Sequence, residues 1–215
     1  MGETVLGKKQ QAKREAKRVI DADIAAGQAV ARDLADHPVV KVAGWLSEVA
    51  DQPPTVTINL ATIALGLGLR DRRLARTGFR MLLAHGIATG AKAAIKHNID
   101  RARPRLFTSR QAHRPTPGER DEGPHNSFPS GHTAGAVAVA RAVAREYPGA
   151  ARPAYAAAAG IAAIQIPRGT HFPIDVAVGA VIGWAAEALA ARLIDAATDP
   201  KVAKVAHNAL PHGVS

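Results

Sequence analysis

Apolar residues recur at helical spacing through almost the whole chain, and no segment shows the alternation of polar and apolar residues that is typical of a β-strand. Ala, Leu, Val and Ile dominate these segments, and prolines mark their boundaries, because proline can begin a helix but interrupts its interior. The pattern predicts an all-α fold, a helical bundle. The predicted helices cover residues 10–36, 38–51, 54–70, 76–97, 131–146, 153–166 and 173–195.

The length of 215 residues suits one domain with a full core. We divide the chain into a basic N-terminal helical segment over 1–37, a helical bundle over 38–196 and a C-terminal tail over 197–215. Residues 98–128 are rich in proline, glycine and charged residues, which predicts one long loop. Long loops inside compact proteins are often functional, so this loop is expected to contribute to a site.

The net charge of +10 raises the question of a polyanionic partner. Aromatic residues make up only 4% of the chain, and no helix-turn-helix or zinc-finger pattern occurs, so nucleic acid is not predicted as a partner. Anionic lipid headgroups or phosphorylated substrates explain the charge at least as well. The chain contains no cysteine, which excludes disulfide bonds.

Three short segments carry the residue types that phosphoryl transfer requires. A transferring phosphoryl group spreads negative charge over its oxygens, so catalysis needs positioned cations, N–H donors, a nucleophile and a proton source. Lys96 and Arg103 can supply the cations. Ser130 and Gly131 can supply a hydroxyl group and close backbone amides at the start of a helix, where the helix dipole favours an anion.

Two histidines and an aspartate complete this set. His132 and His171 offer two imidazoles with separable roles, in which one attacks phosphorus and the other protonates the leaving oxygen. Asp175 follows His171 by four residues, close enough to hold the second nitrogen of that ring and fix its tautomer. Each segment alone has an ordinary explanation as a helix end, a capped turn or a surface pair. Their joint occurrence favours a phosphate-handling site.

The order of these segments resembles the signature of the type 2 phosphatidic acid phosphatase and vanadium haloperoxidase superfamily. Residues 96–104, which begin with Lys and end with Arg-Pro, and residues 129–132, Pro-Ser-Gly-His, match that signature in full. The third segment matches at His171 and Asp175, but Gln165 stands where the family places its second arginine.

The resemblance implies a role for each matching residue. His171 would be the nucleophile that forms a phosphohistidine, Asp175 would orient it, and His132 would be the general acid. The implied phosphate ligands are Lys96, Arg103, Ser130 and Gly131. The chain has no His-Glu-x-x-His pattern and no clustered carboxylates, which agrees with a reaction that uses no metal and no cofactor.

The missing arginine leaves three alternatives open. Gln165 can donate through its amide, or Arg168 can reach the phosphate from an irregular loop between Pro167 and Gly169. The third alternative is impaired catalysis, because the loss of one transition-state donor typically costs roughly 10²–10³ in rate.

The membrane prediction depends on charge more than on hydropathy. A full span needs roughly 20 mostly apolar residues, whereas the segments here are short and the mean hydropathy is −0.05. Six passes, from 38–51 to 173–195, would put the basic joins 70–76 and 141–152 on the same side as the basic N-terminus, as the positive-inside rule requires. We therefore predict about six short transmembrane helices in the plasma (inner) membrane, with a cytoplasmic N-terminus and an outward-facing active site.

The predicted function is a membrane lipid-phosphate phosphatase that acts on phosphatidic acid or on a polyprenyl phosphate or pyrophosphate. The predicted partners are the lipid phosphate and the membrane, and no obligate protein partner is indicated. The alternatives are a soluble acid phosphatase, a vanadate haloperoxidase, or a catalytically impaired membrane protein that binds anionic lipids. Gln165→Arg is expected to raise turnover in an impaired enzyme and to change nothing in a lipid-binding protein.

Overall fold

Seven α-helices form the framework of the described part of the chain. The computed structural model describes residues 2–106, 109–118 and 123–198, with side chains from residue 7 onward. Over this part of the chain the all-α prediction is confirmed, and the seven helices fall where the periodicity predicts them. They are α1 Gly2–Leu34, α2 Pro38–Ser47, α3 Gln52–Gly68, α4 Arg72–Asn98, α5 Gly131–Glu146, α6 Ala151–Ile164 and α7 Pro173–Thr198. Apart from its first two residues, the predicted tail 197–215 lies outside the described residues.

Capping side chains set the start of several helices. Asp71 accepts hydrogen bonds from the backbone N–H groups of Arg73 and Leu74 at 2.9 and 3.0 Å, which begins α4. Ser130 caps α5 in the same way. The single helix predicted over 38–51 is shorter in the structure, because α2 ends at Ser47 and a 3₁₀ turn, Glu48–Ala50, follows it.

Small residues let the central helices pack closely. α4 packs against α3, α5 and α7, and α5 also packs against α6 and α7. The core between α4, α5 and α7 consists of paired alanines, which are Ala84, Ala88, Ala134, Ala138, Ala186 and Ala190. At Gly179 on α7 a Cβ atom would lie 2.5 Å from the carbonyl oxygen of Ser130, so only glycine allows this approach of α7 to α5.

The segment between α4 and α5, predicted as a loop, contains local structure. Its first residues, β1 Ile99–Asp100, pair antiparallel with β2 Thr116–Pro117, and two 3₁₀ turns cover Pro104–Leu106 and Gly123–His125. Arg101 donates its backbone N–H to the carbonyl of His125 and accepts from the N–H of Ser127, both at 2.9 Å. The start and the end of the segment are therefore joined before α5 begins.

The N-terminal helix α1 divides into an exposed half and a docked half. Residues 7–19 are exposed. Farther along, Ile24 and Ala31 are buried, and a Cβ atom at Gly27 would lie 2.5 Å from Cδ1 of Phe172. The second half of α1 therefore packs against the loop that precedes α7, which the sequence did not indicate.

Buried ion pairs tie α4, α5 and α7 together at the end of the bundle where α5 terminates. Arg80 pairs with Glu146 at 3.0 Å, and both side chains are almost fully buried. Glu187 accepts from Arg145 at 2.6 Å and from Arg141 at 3.1 Å. We call this group the distal ion cluster. Of the helices in the described residues, α7 is long and apolar enough to cross a membrane.

Candidate active site

The three motif segments meet at the end of the bundle opposite the distal ion cluster. α4 ends there after Lys96, α5 begins there at Gly131, and the loop from α6 to α7 carries His171. The backbone N–H of Ser130 donates to the carbonyl oxygen of Asp175 at 3.0 Å, which joins the start of α5 to the first turn of α7. Residues far apart in sequence thus form one cluster.

His171 is held by a backbone carbonyl. Its Nδ1 lies 2.6 Å from the carbonyl oxygen of Ser127, and its side chain is almost fully buried. A carbonyl only accepts, so Nδ1 carries the proton and the neutral ring presents the lone pair of Nε2. Burial lowers the pKa of His171 below its ordinary value, although the nearby Asp175 carboxylate opposes this shift. His171 is therefore neutral at pH 7, as a nucleophile must be.

Asp175 occupies a different position from the one that its spacing suggests. Its Oδ2 lies 3.9 Å from Nδ1 of His171, beyond hydrogen-bond distance, and instead accepts from the backbone N–H of Phe172 at 2.8 Å. Its Oδ1 accepts from Arg101. Asp175 thus supports His171 through charge and through the backbone turn, while Ser127 makes the direct contact.

Two cations of the first segment line the cluster. Lys96 Nζ donates to the carbonyl oxygen of Asn126 at 2.7 Å. The Nε of Arg103 is buried and has no hydrogen-bond partner among the described residues. Burial, together with the nearby charges of Arg105 and Arg168, lowers the pKa of Arg103. An anion is the ligand that such a group of cations is arranged to bind.

The start of α5 is closely packed. Ser130 is fully buried, and its Oγ lies 2.9 Å from Oγ1 of Thr133. A Cβ atom at Gly131 would lie 2.9 Å from Cδ of Lys92, so the lysine side chain runs beside this glycine. Lys92, one helical turn before Lys96, adds a cation that sequence reasoning missed.

Gln165 and Arg168 both donate to Ser47 Oγ, but of the two only Arg168 carries a charge. Gln165 is fully buried, and its Nε2 donates to the carbonyl oxygen of Ile161 at 3.0 Å and to Ser47 Oγ at 3.3 Å. Arg168 is close enough to Arg103 to lower the pKa of that guanidinium group. Of the two residues, Arg168 is therefore the one whose charge reaches the cluster.

Glu48 is a carboxylate inside this cationic cluster, which no sequence motif predicts. Its Oε1 accepts from Arg168 Nη2 at 2.5 Å, and its Oε2 lies 3.5 Å from His132 Nε2. Glu48 and Arg168 also line an open groove of about 590 Å³, together with Arg105 and Lys41. Glu48 thus bridges His132 and Arg168 where the cluster opens to solvent.

The described residues contain no group of three or more His, Asp or Glu side chains arranged to hold a metal ion. The fold and the cluster together define an all-helical protein with a buried, cationic, histidine-containing pocket at one end of its bundle. The sequence profile of the PAP2 superfamily matches residues 77–199, and the chain belongs to that superfamily.

Two solved structures share the fold. The crystal structure of LpxE from Aquifex aeolicus is 21% identical, with a TM-score of 0.57, and the match covers 77% of this chain and 92% of LpxE. A transmembrane PAP2-type phosphatidylglycerolphosphate phosphatase from Bacillus subtilis is also 21% identical, with a TM-score of 0.59 over 85% of this chain and 89% of that protein. No curated protein sequence matches the chain.

Proposed function

We propose that the protein is a membrane lipid-phosphate phosphatase that works through a phosphohistidine on His171. The observation that carries this proposal is the buried Nε of Arg103, which lacks a hydrogen-bond partner in the described part of the chain and lies in the same cluster as a neutral His171. A buried N–H donor without a partner is costly in the folded protein. A phosphate oxygen supplies the missing acceptor.

The reaction proceeds in two steps. His171 Nε2 attacks phosphorus, the bond from phosphorus to the ester oxygen breaks, and His132 gives its proton to the leaving oxygen. A water molecule then gives a proton to His132 and attacks phosphorus, which breaks the P–N bond and releases inorganic phosphate. Lys96, Arg103 and Arg168 stabilise the charge on the phosphoryl oxygens in both steps, together with N–H groups at the start of α5. Arg168 takes the place of the arginine that the signature lacks at Gln165.

Exposed apolar side chains support a lipid environment for this site. Large apolar residues are exposed on α2, α3 and α7, among them Trp45, Leu67 and Trp184. Such surfaces are uncommon on water-soluble monomers. An apolar cavity of about 250 Å³ is lined by Val49 and Ala50, which follow Glu48 directly, and by residues of α3, α5 and α6. This cavity offers an apolar surface to a lipid chain beside the cluster.

We propose five membrane crossings, α3 to α7, in place of the six predicted from the sequence. Asp23 and Gly27 of α1 contact residues of the cluster, and both ends of α2 line the same groove as Arg105. α2 has 10 residues and is about 15 Å long, which is half of the roughly 30 Å hydrocarbon thickness. We therefore place the N-terminal segment on the side of the site, whereas the sequence predicts that the two lie on opposite sides.

The basic joins indicate on which side of the membrane the site and the N-terminal segment lie. Residues 70–76 and 141–152 lie next to crossings, whereas the basic stretch 8–18 lies more than 30 residues before α3, beyond the range of the positive-inside rule. We place the joins in the cytoplasm and the site and N-terminus outside. Because the chain lacks cysteine, single substitutions test this arrangement cleanly. An impermeant maleimide on intact cells should label Gln11→Cys, and should label Arg72→Cys only after permeabilisation; the reverse pattern contradicts the orientation.

The activity itself is tested by release of inorganic phosphate. Detergent-purified protein is incubated with phosphatidic acid or a polyprenyl pyrophosphate, without added metal, beside His171→Ala. Release by the wild type that is lost in the variant supports the proposal, and acid-labile phosphate trapped on the protein would identify the intermediate. No release with either lipid contradicts it and favours the lipid-binding alternative.

A further inference from the structure

The N-terminal helix contributes a carboxylate to the interior of the site. Asp23 on α1 is buried, although it belongs to a helix whose first half is exposed. Its Oδ2 accepts from Nη2 of Arg101 at 2.5 Å. Arg101 in turn donates through Nη1 to Asp175, whose Oδ2 lies 3.9 Å from Nδ1 of the candidate nucleophile His171. A chain of charged hydrogen bonds thus links α1 to the turn that carries His171.

We propose that Asp23 is a positioning residue of the active site, which acts through Arg101 on Asp175 and the loop that holds His171. The proposal rests on the phosphatase function proposed above. Asp23 lies outside residues 77–199, which match the superfamily, so the superfamily signature does not assign it this role.

Arg101 is held on every side. Its side chain is fully buried, its Nε donates to the carbonyl oxygen of His113 at 2.8 Å, and its guanidinium carbon lies 4.0 Å from the ring centre of Phe172. Two carboxylates, Asp23 and Asp175, accept from its two terminal nitrogens. Without Asp23 one buried N–H would lose its partner, and the guanidinium group would be drawn toward Asp175 alone.

The second oxygen of Asp23 acts on α7 directly. Oδ1 accepts from the backbone N–H of Ile174 at 2.8 Å. This N–H belongs to the first turn of α7, where backbone donors have no partner within the helix. A carboxylate at a helix N-terminus is also favoured by the helix dipole. Asp23 therefore fixes Ile174, the residue that precedes Asp175, as well as the guanidinium group beside it.

The packing of α1 against the loop before α7 positions the carboxylate of Asp23. Gly27, one helical turn after Asp23, allows the ring of Phe172 to lie against the helix. Phe172 directly follows His171, so the docked half of α1 packs against the residue that follows the nucleophile. Small displacements of reacting groups are costly, since a shift of about 1 Å can reduce the rate by roughly 100-fold.

The test is a double-mutant cycle in the full-length protein. Asp23→Asn keeps the shape of the side chain and removes its charge, and Asp33→Asn on the exposed surface of the same helix is the matched control. Each is measured alone, and Asp23→Asn also together with Asp175→Asn. The readouts are kcat, KM and the affinity for orthovanadate by thermal shift, because vanadate imitates the transferring phosphoryl group without turnover.

We expect Asp23→Asn to lower kcat by about 10–100-fold with little change in KM, and to weaken vanadate binding by a similar factor. In the Asp175→Asn background it should have no further effect, because the two residues act as one unit. An equal loss in both backgrounds, or an unchanged kcat, overturns the proposal. If the wild type binds vanadate but releases no phosphate, the function is wrong, and the vanadate affinities alone decide the role of Asp23. A wild type that neither releases phosphate nor binds vanadate overturns both.

Discussion

Arg168→Gln removes the cation that, in our proposal, replaces the arginine missing at position 165. Arg168 donates through Nη1 to Ser47 Oγ at 2.9 Å and through Nη2 to Glu48 Oε1 at 2.5 Å. With both contacts in place, the guanidinium group of Arg168 lies near Arg103, where the site opens to solvent. When a phosphate dianion enters, it competes with Glu48 for these donors.

The expected magnitude follows from the number of donors lost. Removal of one preorganised transition-state donor costs about 2.7–4 kcal/mol, or a factor of roughly 100–1,000 in kcat. Arg168 is an ionised donor, and ionised donors form stronger hydrogen bonds than neutral ones, so we expect a loss at the upper end of that range.

The assay is phosphate release by detergent-purified protein under saturating lipid phosphate. Arg152→Gln provides a matched control, because this arginine is exposed at the other end of the bundle. The control should retain wild-type kcat while Arg168→Gln loses it. Equal activity of both variants would refute the assignment of Arg168 as a phosphate ligand.

Gln165→Arg distinguishes an enzyme in which Arg168 replaces the missing arginine from one that Gln165 impairs. Gln165 has no exposed surface, and its amide already makes hydrogen bonds to Ser47, Ile161 and Thr170. A longer, charged side chain at this position would break these contacts and bury a charge without a partner. We therefore expect Gln165→Arg to lower thermal stability without any gain in turnover. An increase in turnover would instead show that Gln165 impairs the enzyme.

Three further predictions follow from the same geometry. The pKa of His171 lies below its ordinary 6.5 because of burial, so the nucleophile stays neutral below that pH, and the acid limb of the kcat/KM profile should be centred on this lowered pKa; an acid limb centred at or above 6.5 contradicts this, whereas a fall on the alkaline side reports His132 losing the proton that it must donate. Glu48→Gln removes the carboxylate that competes with phosphate for Arg168, so KM should fall by about tenfold, equivalent to about 1.4 kcal/mol. The same change should lower kcat, because His132 loses the negative charge beside it. An unchanged KM for the lipid phosphate rules out the competition. Glu146→Gln removes the nearest carboxylate of the buried Arg80, whose other carboxylate neighbours, Glu187 and Asp195, both lie 3.9 Å away, so it should cost about 3 kcal/mol in the free energy of unfolding, the lower end for a broken buried pair, and leave the KM of the surviving protein unchanged.

The sequence predicts the helices and their order because both depend on local patterns. α5 spans Gly131–Glu146, as predicted, since a serine cap precedes it and Pro148 follows it. The prediction is less accurate between α4 and α5, where the sequence predicts a single loop. There β1 and β2 pair with each other, and this pairing depends on contacts between residues that are distant in sequence. Periodicity carries no information about such pairing over short stretches.

The direct partners of the motif residues could not be predicted in the same way. Ser127 contacts His171 through a backbone carbonyl, which any residue type could provide. Asp23 left a weak signal, because it falls on the stripe of Ile24, Gly27 and Ala31 that α1 buries. A charged residue on a buried helix face indicates a buried partner, but only the fold reveals that the partner is Arg101.

The arginines at the two ends of the bundle have different roles. In the distal ion cluster the buried Arg80 faces Glu146, and Arg145 faces Glu187, so these cations are neutralised within the chain. At the other end, Arg103 is half-buried, and its buried Nε has no partner in the described residues. Arginine stays protonated, so this donor cannot avoid the cost of burial by losing its proton. The same residue type thus stabilises the fold at one end and, at the other, keeps a buried N–H donor that an incoming anion such as phosphate can satisfy.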